Sequence, residues 1–358
     1  MATSTTPRIT VLGSLNIDLV AYVSHHPLPG ETMTANSVAV SPGGKGANQA
    51  VACAKLSRSH TATTSSSSPS SASPSSEGET AHITMLGTVG ADSYGSLLKE
   101  NLAKHGVDVS GVRVLDTPGS KTGMAMIVVD EPTGQNRIIL SPEANHFLQP
   151  EHVADVANLS SAQGQGQQKP DLLIMQLEIP VPTVLQALKT AKQNGVQVLL
   201  NPAPAVMLPD SAFEGLAHLV VNETEAAILS KVKESVLDTE EGLEMVGRVF
   251  LGKGVKTVIV TLGGRGVFFM TSGETEGGGE GEKKKKGLVK AEKAKVVDTT
   301  AAGDTFVGMY ALEVVTAKSK GEQFDIEGAV RKANKAAAKT VERAGAQDSI
   351  PWRDELLL

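Results

Sequence analysis

Short, almost continuously apolar segments alternate along this chain with segments of helical periodicity. Six apolar segments have the length and composition of buried strands: residues 8–12, 82–86, 171–177, 196–200, 217–221 and 256–261. Helical spacing of apolar residues occurs between them, at 46–56, 92–105, 181–194, 239–251, 303–317 and 325–342. Strands that are apolar on both faces must be covered on both faces. The pattern therefore predicts an α/β fold, with a three-layer α/β/α body around a mostly parallel sheet.

Two segments depart from this alternation. Residues 15–41 and 111–140 contain shorter strand-like runs separated by turns, such as 123–129 and 136–140. We expect them to form a small β lid on the body. Residues 1–358 are predicted to form one domain, because the folding chain is shorter once its low-complexity segments are left out.

Three low-complexity segments interrupt the pattern, at residues 57–80, 161–169 and 273–287. They consist largely of Ser, Thr and Pro, of Gln and Gly, and of Gly, Glu and Lys. Such compositions bury too little apolar surface to offset the entropy of ordering the backbone. We predict disordered surface insertions. The four lysines at 283–286 are a solvated loop by this interpretation, with part of a nuclear localisation signal as the alternative.

Charge and cysteine content restrict the function. The chain has 39 acidic and 33 basic residues and a net charge of −6, which favours neither a nucleic-acid partner nor a membrane partner. The single cysteine, Cys53, cannot form an internal disulfide. The first residues contain no apolar run of signal-peptide type. A cytoplasmic protein is expected.

The strongest chemical signal lies at residues 296–308, where a strand-like run ends and small residues lead into a helix. The first turn of a helix presents unpaired N–H groups, to which a phosphate can bind. Asp304 in that turn could accept a proton from an attacking hydroxyl. A helix-capping role for Asp304 stays open. The sequence contains neither a Walker A motif nor a GxGxxG motif after a strand, so nucleotide binding through either loop is not supported.

Polar residues follow other predicted strands. Asn16 and Asp18 are spaced to face one side of an extended chain and to bind vicinal sugar hydroxyls. Gly43 and Gly44 precede Lys45 and Asn48 at a helix start, and Glu178 follows an apolar run. Asn222 and Glu225 suit either a hydrated Mg²⁺ near phosphates or a capping box. Each of these segments has a purely structural alternative.

Together these segments resemble the phosphofructokinase-B-type, or ribokinase-like, carbohydrate kinases. Two signatures carry the resemblance, which extends from about residue 8 to about 353: GGKGANQ at 43–49 and DTTAAGDTF at 298–306. Further matching runs are GSLNID (13–18), IMQLE (174–178), NPAPA (201–205), NETEA (222–226), TLGGRG (261–266) and GAQDSIPW (345–352). The segment at 141–145 departs from the family, which is richer in glycine there.

The resemblance implies roles for individual residues. Asp304 matches the catalytic base, and Ala301, Ala302 and Gly303 match the anion hole. Sugar-binding positions correspond to Asn16, Asp18, Gly44, Lys45, Gly46, Ala47, Asn48, Glu178 and Asp304. ATP-binding positions correspond to Asn222, Thr261, Leu262, Gly263, Gly264, Arg265, Gly266, Gly303, Asp304 and Asn334.

The resemblance also implies cations and a partner. Glu225 matches the acidic residue linked to Mg²⁺. Positions that bind an activating K⁺ correspond to Asp298, Thr300, Thr340, Arg343, Gly345 and Ser349. Relatives suggest a homodimer joined through the β lid, with Met124, Met126 and Val128 supplying an apolar face.

The expected activity is ATP-dependent phosphorylation of D-ribose at O5, giving D-ribose 5-phosphate and ADP. GGKGAN together with Asn16 and Asp18 favours ribose over the alternatives, which are another sugar or a nucleoside. A sugar-binding regulator without catalytic activity is a second alternative, which an intact Asp304 disfavours.

Overall fold

The computed structural model describes residues 6–60, 78–160, 169–273 and 284–356. Its strands within these ranges are β1 (Arg8–Leu12), β2 (Asn16–Val23), β3 (Ser37–Gly43), β4 (His82–Gly90), β5 (Val112–Leu115), β6 (Gly123–Asp130), β7 (Asn136–Ser141), β8 (Leu172–Met175), β9 (Gln197–Leu200), β10 (His218–Asn222), β11 (Thr257–Thr261), β12 (Val267–Thr271) and β13 (Lys286–Val289). The α-helices are α1 (Lys45–Leu56), α2 (Ser93–Lys104), α3 (Val181–Gln193), α4 (Glu223–Ser230), α5 (Glu240–Gly252), α6 (Ala302–Lys320) and α7 (Ile326–Thr340).

Nine strands form the main sheet, in the order β13-β12-β11-β10-β9-β8-β1-β4-β5. The strands from β11 to β5 pair in parallel, while β12 and β13 add an antiparallel edge. A separate sheet of four strands has the order β3-β2-β6-β7. Both the mostly parallel body and the small second sheet agree with the predicted fold class.

Alternate residues of the central strands enter two different apolar cores. Ile174 packs with helices α1, α2, α6 and α7, whereas its neighbours Leu173 and Met175 pack with α3, α4 and α5. The same division occurs in β11, where Ile259 lies in the first core and Val258 in the second. This follows from the two-residue period of a strand, and it explains why the strands are apolar at nearly every position.

All six predicted strands and all six predicted helices are present, with ends shifted by a few residues. The predicted lid boundary at residue 111 was wrong. Val112–Leu115 forms strand β5, which pairs with β4 at the edge of the main sheet. A short edge strand has the same sequence pattern in the main sheet and in a lid. Its pairing with strands distant in the sequence decides to which sheet it belongs. The hairpin of β12 and β13 was not predicted, since a low-complexity segment separates its strands.

The predicted insertions at 57–80, 161–169 and 273–287 lie mostly outside the described residues. Their described ends correct the boundaries. Arg58 is buried and forms an ion pair with Glu79, and Lys286 and Gly287 belong to β13. Composition could not show this, because Arg58 gains its partner only when the chain returns at Glu79.

We predict that replacing residues 61–77 with a short Gly-Ser linker leaves stability and activity nearly unchanged. The two chain ends already meet, since Thr80 N donates to Ser57 O at 3.1 Å. Arg353 Nη1 clamps both ends by donating to Ser57 O and Gly78 O, each at 3.0 Å. Loop-closure entropy changes little with loop length, so the melting temperature should move by no more than about 2 °C. Differential scanning calorimetry measures this, and a fall of about 10 °C would contradict it.

Candidate active site

The predicted polar residues meet where the parallel strands end. Glu178 follows β8, Asn222 ends β10, and Thr261 ends β11. In open α/β sheets, loops at the carboxyl ends of the strands are the usual place of a ligand site. Helices α1 and α6 bring Lys45 and Asp304 to the same edge, because both helices begin there.

Asp304 lies in the first turn of α6 and is 7% exposed. Its Oδ2 accepts a hydrogen bond from Asn48 Nδ2 at 3.2 Å, and its Oδ1 accepts one from Gln49 Nε2 at 2.9 Å. Hydrogen bonds to an ionised acceptor are stronger than neutral ones. The two amides of α1 therefore hold the carboxylate in one orientation. The simple capping interpretation does not require these two hydrogen bonds.

A glycine allows the two helices to approach this closely. A Cβ added at Gly308 would lie 2.6 Å from Ala52 Cβ and 2.9 Å from Cys53 N. Any side chain at Gly308 would therefore push α6 away from α1. The contact lies one helical turn beyond Asp304, so the same packing sets the distance from Asp304 to Asn48 and Gln49.

The beginning of α6 has the backbone geometry of an anion site. Ala301 has a left-handed conformation (φ 59°), and no side chain caps the helix. A left-handed residue followed by helical ones turns successive N–H groups toward one side. The space around Gly303 is open, since a Cβ built there would have no heavy atom within 4 Å. Ala302 N donates to Thr299 O at 3.3 Å, so its N–H is partly occupied within the loop.

A cavity of about 220 Å³ connects this helix start with the strand ends. The lining residues are Lys45, Asn201, Ala203, Val220, Val221, Asn222, Glu225, Thr261, Thr299, Ala301, Gly303 and Asp304. The Asp304 carboxylate, an open helix N-terminus, a lysine and a second carboxylate thus line one cavity. The arrangement can hold a phosphoryl group between an acceptor hydroxyl and a donor.

The predicted sugar-binding residues form a cluster beside Asp304. Glu178 Oε2 accepts hydrogen bonds from Ser14 Oγ at 2.6 Å, from Lys45 N at 3.1 Å and from Asn16 Nδ2 at 3.5 Å. Gly44 adopts φ 88°, and a Cβ there would lie 2.7 Å from Asn16 N, so glycine is required at the turn into α1.

Gly46 and Ala47 have a different environment. Gly46 N donates to Ser14 Oγ at 3.4 Å and Ala47 N donates to Ser14 O at 2.9 Å. Both residues are buried and are not among the cavity lining. These two hydrogen bonds join α1 to the loop after β1. They therefore hold in place the helix start next to the predicted sugar-binding residues.

Four carboxylates surround a single lysine in this site. Burial, then Glu178 and Asp304, raise the pKa of Asp18 to about 7, against the opposing effect of Lys45. Burial lowers the pKa of Lys45, but Asp304, Glu178, Glu225 and Asp18 together raise it above its ordinary value. Lys45 is therefore charged when the site is empty of ligand. Its charge is the local positive feature in an acidic protein.

Glu225 and Asn222 form a capping box at the start of α4. Asn222 N and Nδ2 donate to the Glu225 carboxylate at 2.9 and 3.0 Å, and Glu225 N donates to Asn222 Oδ1 at 2.8 Å. Burial raises the pKa of Glu225. The carboxylate also lines the cavity, so the capping role and a role toward a hydrated cation are compatible. Among the described residues no group of three or more His, Cys, Asp and Glu could hold a metal alone.

The predicted ATP-binding residues line one continuous edge. Leu262 is buried, and a Cβ at Gly263 or Gly264 would meet no heavy atom within 4 Å, so the backbone of this turn is accessible. Arg265 pairs with Glu223 and donates to Leu237 O at 3.0 Å. Gly266 packs on the chain at 289–291, and Asn334 Nδ2 donates to Lys290 O at 2.8 Å. This contact brings α7 to the turn.

The predicted K⁺ residues lie around Asp298. Its Oδ1 accepts from Thr300 N at 2.9 Å and its Oδ2 accepts from Gly345 N at 2.9 Å. Thr340 Oγ1 donates to Thr305 Oγ1 at 2.9 Å, within the first turns of α6. Arg343 pairs with Glu355, and Ser349 Oγ donates to Ala346 O at 2.8 Å. Residues 298–300 and 340–349 thus meet beside the first turns of α6.

Comparison with known proteins decides the family. The pfkB family carbohydrate kinase model matches residues 6–353. The chain belongs to this family. It is a phosphotransferase of the ribokinase type, as the sequence predicted.

Two curated relatives and one solved structure cover nearly the whole kinase chain. A ribokinase of Schizosaccharomyces pombe is 39% identical over 348 residues, covering 96% of this chain and 95% of the relative. A ribokinase of Haemophilus influenzae is 37% identical over 349 residues, covering 98% and 97%. The structure of Arabidopsis thaliana ribokinase complexed with ribose and ATP aligns with a TM-score of 0.77 at 29% identity, covering 99% and 98%.

Several residues of this kinase site were missed in the sequence. Asn145 Nδ2 donates to Asn16 Oδ1 at 2.7 Å, and Gln176 Nε2 donates to Gln49 Oε1 at 2.6 Å. Asn201 lines the cavity and accepts from Gln49 Nε2 at 3.0 Å. Apart from Asn145, these residues lie inside the matching sequence runs. Uncharged amides give no chemical signal of their own, because their direction depends on distant partners.

The raised pKa of Asp18 predicts how the stability of the ligand-free kinase depends on pH. A carboxyl whose pKa rises on folding destabilises the folded state progressively, as the pH increases from its ordinary pKa to about 7. Asp18→Asn removes this ionisation, so the variant should gain stability over wild type. The gain at pH 8 should exceed that at pH 5 by about 1–3 kcal/mol.

Urea unfolding at the two pH values measures this difference. The exposed Asp238→Asn is the matched control, since it changes the same group outside the site. If Asp18→Asn raised the free energy of unfolding equally at pH 5 and pH 8, the raised pKa of Asp18 would be disproved.

Proposed function

We propose that this kinase transfers the γ-phosphoryl group of ATP to O5 of D-ribose, giving D-ribose 5-phosphate and ADP. The observation that carries the proposal is the single cavity in which Asp304, Lys45 and the open start of α6 meet, beside the cluster of Asn16, Asp18 and Glu178. The names of the relatives support ribose as the acceptor. The alternative acceptor is another sugar or a nucleoside.

The sugar cluster suits several neighbouring hydroxyl groups. Asp18 and Glu178 offer carboxylate acceptors, while Asn16 and Lys45 offer donors, and Asn145 keeps the Asn16 amide in one orientation. Burial makes unpaired polar atoms costly. A sugar that lacked one matching hydroxyl would leave one of these groups unsatisfied, so the cluster should discriminate between pentoses.

In the proposed mechanism Asp304 accepts the proton of the sugar hydroxyl as the oxygen attacks the γ-phosphorus. Asn48 and Gln49 hold the carboxylate oxygens while the proton transfers. Charge on the transferred group is met by the N–H groups at Ala301, Ala302 and Gly303 and by the Lys45 ammonium. Lys45 and the start of α6 are already in place, so the main reorganisation is that the Ala302 N–H leaves its hydrogen bond to Thr299 O.

Asp304→Asn should reduce kcat by about 10²–10⁴-fold while ribose still binds. Asparagine keeps the size of the side chain but cannot take up the proton. Coupled detection of ADP release gives kcat, and isothermal titration with ribose gives the affinity. A variant that retains more than about a tenth of the wild-type kcat would exclude Asp304 as the base.

For ATP we propose the edge formed by Asn222, the turn from Thr261 to Gly266, and Asn334. The accessible backbone of Gly263 and Gly264 would face the nucleotide, and the turn leads into the cavity at Thr261. Glu225 would hold Mg²⁺ through its water shell. When bound, Mg²⁺ neutralises phosphate charge.

We further propose that K⁺ activates the enzyme by binding between residues 298–300 and residues 340–349, which the Asp298 carboxylate joins. The Asp298 carboxylate already fixes Thr300 and Gly345, and Ala301 follows directly. A cation on the carbonyls of these segments would hold the anion site in its left-handed geometry. The residues proposed to surround the cation are Asp298, Thr300, Thr340, Arg343, Gly345 and Ser349.

Activity should therefore rise several-fold when K⁺ replaces Na⁺ at constant ionic strength and saturating Mg²⁺. K⁺ is larger and less strongly hydrated than Na⁺, and it suits a carbonyl-lined site. Initial rates in chloride salts of the two ions test this. Equal rates in both salts would exclude the cation site.

The lid supports the proposal of a homodimer. Val38, Val40, Met126, Ile138 and Ile139 are exposed on its strands. Of the side chains predicted from sequence only Met126 is exposed, while Met124 and Val128 are half-buried. The pairings place Val40, Leu19, Met126 and Ile139 in one row on the face opposite Asp18. An apolar sheet face of this kind is best covered by a second lid.

Light scattering at micromolar concentration should give twice the monomer mass of 37.2 kDa. Ile139→Lys should shift the protein toward the monomer, because it places a charge within the apolar row. Arg137→Lys on the same strand conserves the charge and serves as the control. A fully active wild-type monomer would contradict the dimer and leave the kinase proposal intact.

A cytoplasmic location, with nuclear import through the lysines at 283–286 as the alternative, remains a prediction.

A further inference from the structure

Side-chain amides hold the proposed base, and a further amide, that of Gln347, bonds one of them without touching Asp304. We propose that Gln347 is a positioning residue, which fixes the amide of Asn48 so that its Nδ2 donates to Asp304. The inference rests on the proposed role of Asp304 as the base. It adds a residue that touches neither substrate nor nucleotide in that proposal.

Three consecutive hydrogen bonds connect Asn101 on α2 with Asp304, the proposed base. Asn101 Nδ2 donates to Gln347 Oε1 at 2.6 Å. Gln347 Nε2 donates to Asn48 Oδ1 at 3.1 Å, and Asn48 Nδ2 donates to Asp304 Oδ2 at 3.2 Å. Gln347 is 3% exposed and Asn48 is 6% exposed, so water cannot readily replace either partner.

The direction of these bonds follows from the acceptor at their end. An ionised carboxylate can only accept, so Asn48 must turn its NH₂ group to Asp304 and its oxygen to Gln347. The oxygen of Asn48 then needs a donor, which Gln347 Nε2 supplies. If this donor were lost, the Asn48 amide could rotate and present its oxygen to Asp304, where two acceptors would repel each other.

The other oxygen of Asp304 is fixed in a comparable way by a backbone group. Asn201 Nδ2 donates to Val220 O at 2.9 Å, and a carbonyl can only accept. The Asn201 oxygen therefore faces Gln49 and accepts from its Nε2, which also donates to Asp304. Gln176 Nε2 donates to Gln49 Oε1 at 2.6 Å, so Gln347 does for Asn48 what Gln176 does for Gln49, although the two belong to distant parts of the chain.

Gln347 itself is held by a buried cation. Lys55 Nζ donates to Gln347 O at 3.2 Å and lies 5.4 Å from the ring centroid of Trp352. Burial lowers the pKa of Lys55 to about 8, against the opposing effects of Glu355 and Asp348. Gln347 also lies between Gly345 and Ser349, in the segment proposed to bind K⁺. This segment is therefore also connected to the proposed base.

A double-mutant cycle between Gln347 and Asn48 tests the proposal. Gln347→Met keeps most of the volume but removes the donor, so kcat should fall about tenfold, with the KM for ATP unchanged. In the background of Asn48→Ala the same substitution should change kcat less than about twofold. Gln186→Met, which removes a half-buried amide on α3 bonded to Thr190, is the control and should retain wild-type kcat.

Equal losses of kcat in the two backgrounds would overturn the proposal, because they would indicate a general structural role for Gln347. So would full activity of Gln347→Met. If Asp304→Asn is inactive while Gln347→Met is fully active, only this inference fails. If Asp304→Asn stays active, the proposed base fails, whatever the cycle shows.

A second substitution keeps the test valid if Gln347→Met does not fold. Gln347→Glu has the same shape, but a carboxylate can only accept and cannot donate to Asn48 Oδ1. Its kcat should therefore fall about tenfold, and less than about twofold in the background of Asn48→Ala, with the KM for ATP unchanged. Equal losses of kcat in the two backgrounds would contradict the inference.

Discussion

The close contact between α1 and α6 is the constraint on which the site depends. Gly308 lets the helices approach until Ala52 and Cys53 touch the backbone of α6. At that separation the first turn of each helix faces the other, and the carboxylate of Asp304 reaches the amides of Asn48 and Gln49. Helix α6 begins at a turn that no side chain caps and that lines the cavity, whereas the first N–H groups of α1 are bonded to Glu178 and Ser14.

Electrostatics then explains why the site is built mostly from amides. Asp18, Glu178, Glu225 and Asp304 already place four carboxylates near the single lysine, Lys45. Additional charged ligands would raise the cost of burial further. Uncharged amides orient carboxylates at a smaller desolvation cost, provided that each nitrogen and each oxygen has a partner. The hydrogen bonds from Asn101 to Gln347, from Gln347 to Asn48 and from Gln49 to Asn201 supply such partners, and they extend the order of the site into three distant segments.

The lid connects the sugar site to the outer surface of the molecule. Strand β2 carries Asp18 toward the site, and the next residue, Leu19, points to the opposite face, in a row with Val40, Met126 and Ile139. One strand therefore contributes both the carboxylate of the proposed sugar site and half-buried Leu19, which also packs against the main core.

The sequence by itself determined the α/β class, the principal strands and helices, and the charged residues of the site. Apolar periodicity is a local property, and Asp304, Lys45, Glu178 and Glu225 occur in runs that can be recognised in order along the chain. Tertiary structure alone decided that β5 joins the main sheet, that Arg58 is buried against Glu79, and which way each amide points. These features depend on partners far apart in the sequence, such as Gln347 with Asn48. Neither composition nor spacing records such a pairing, because a side-chain amide offers both a donor and an acceptor until its neighbours fix it.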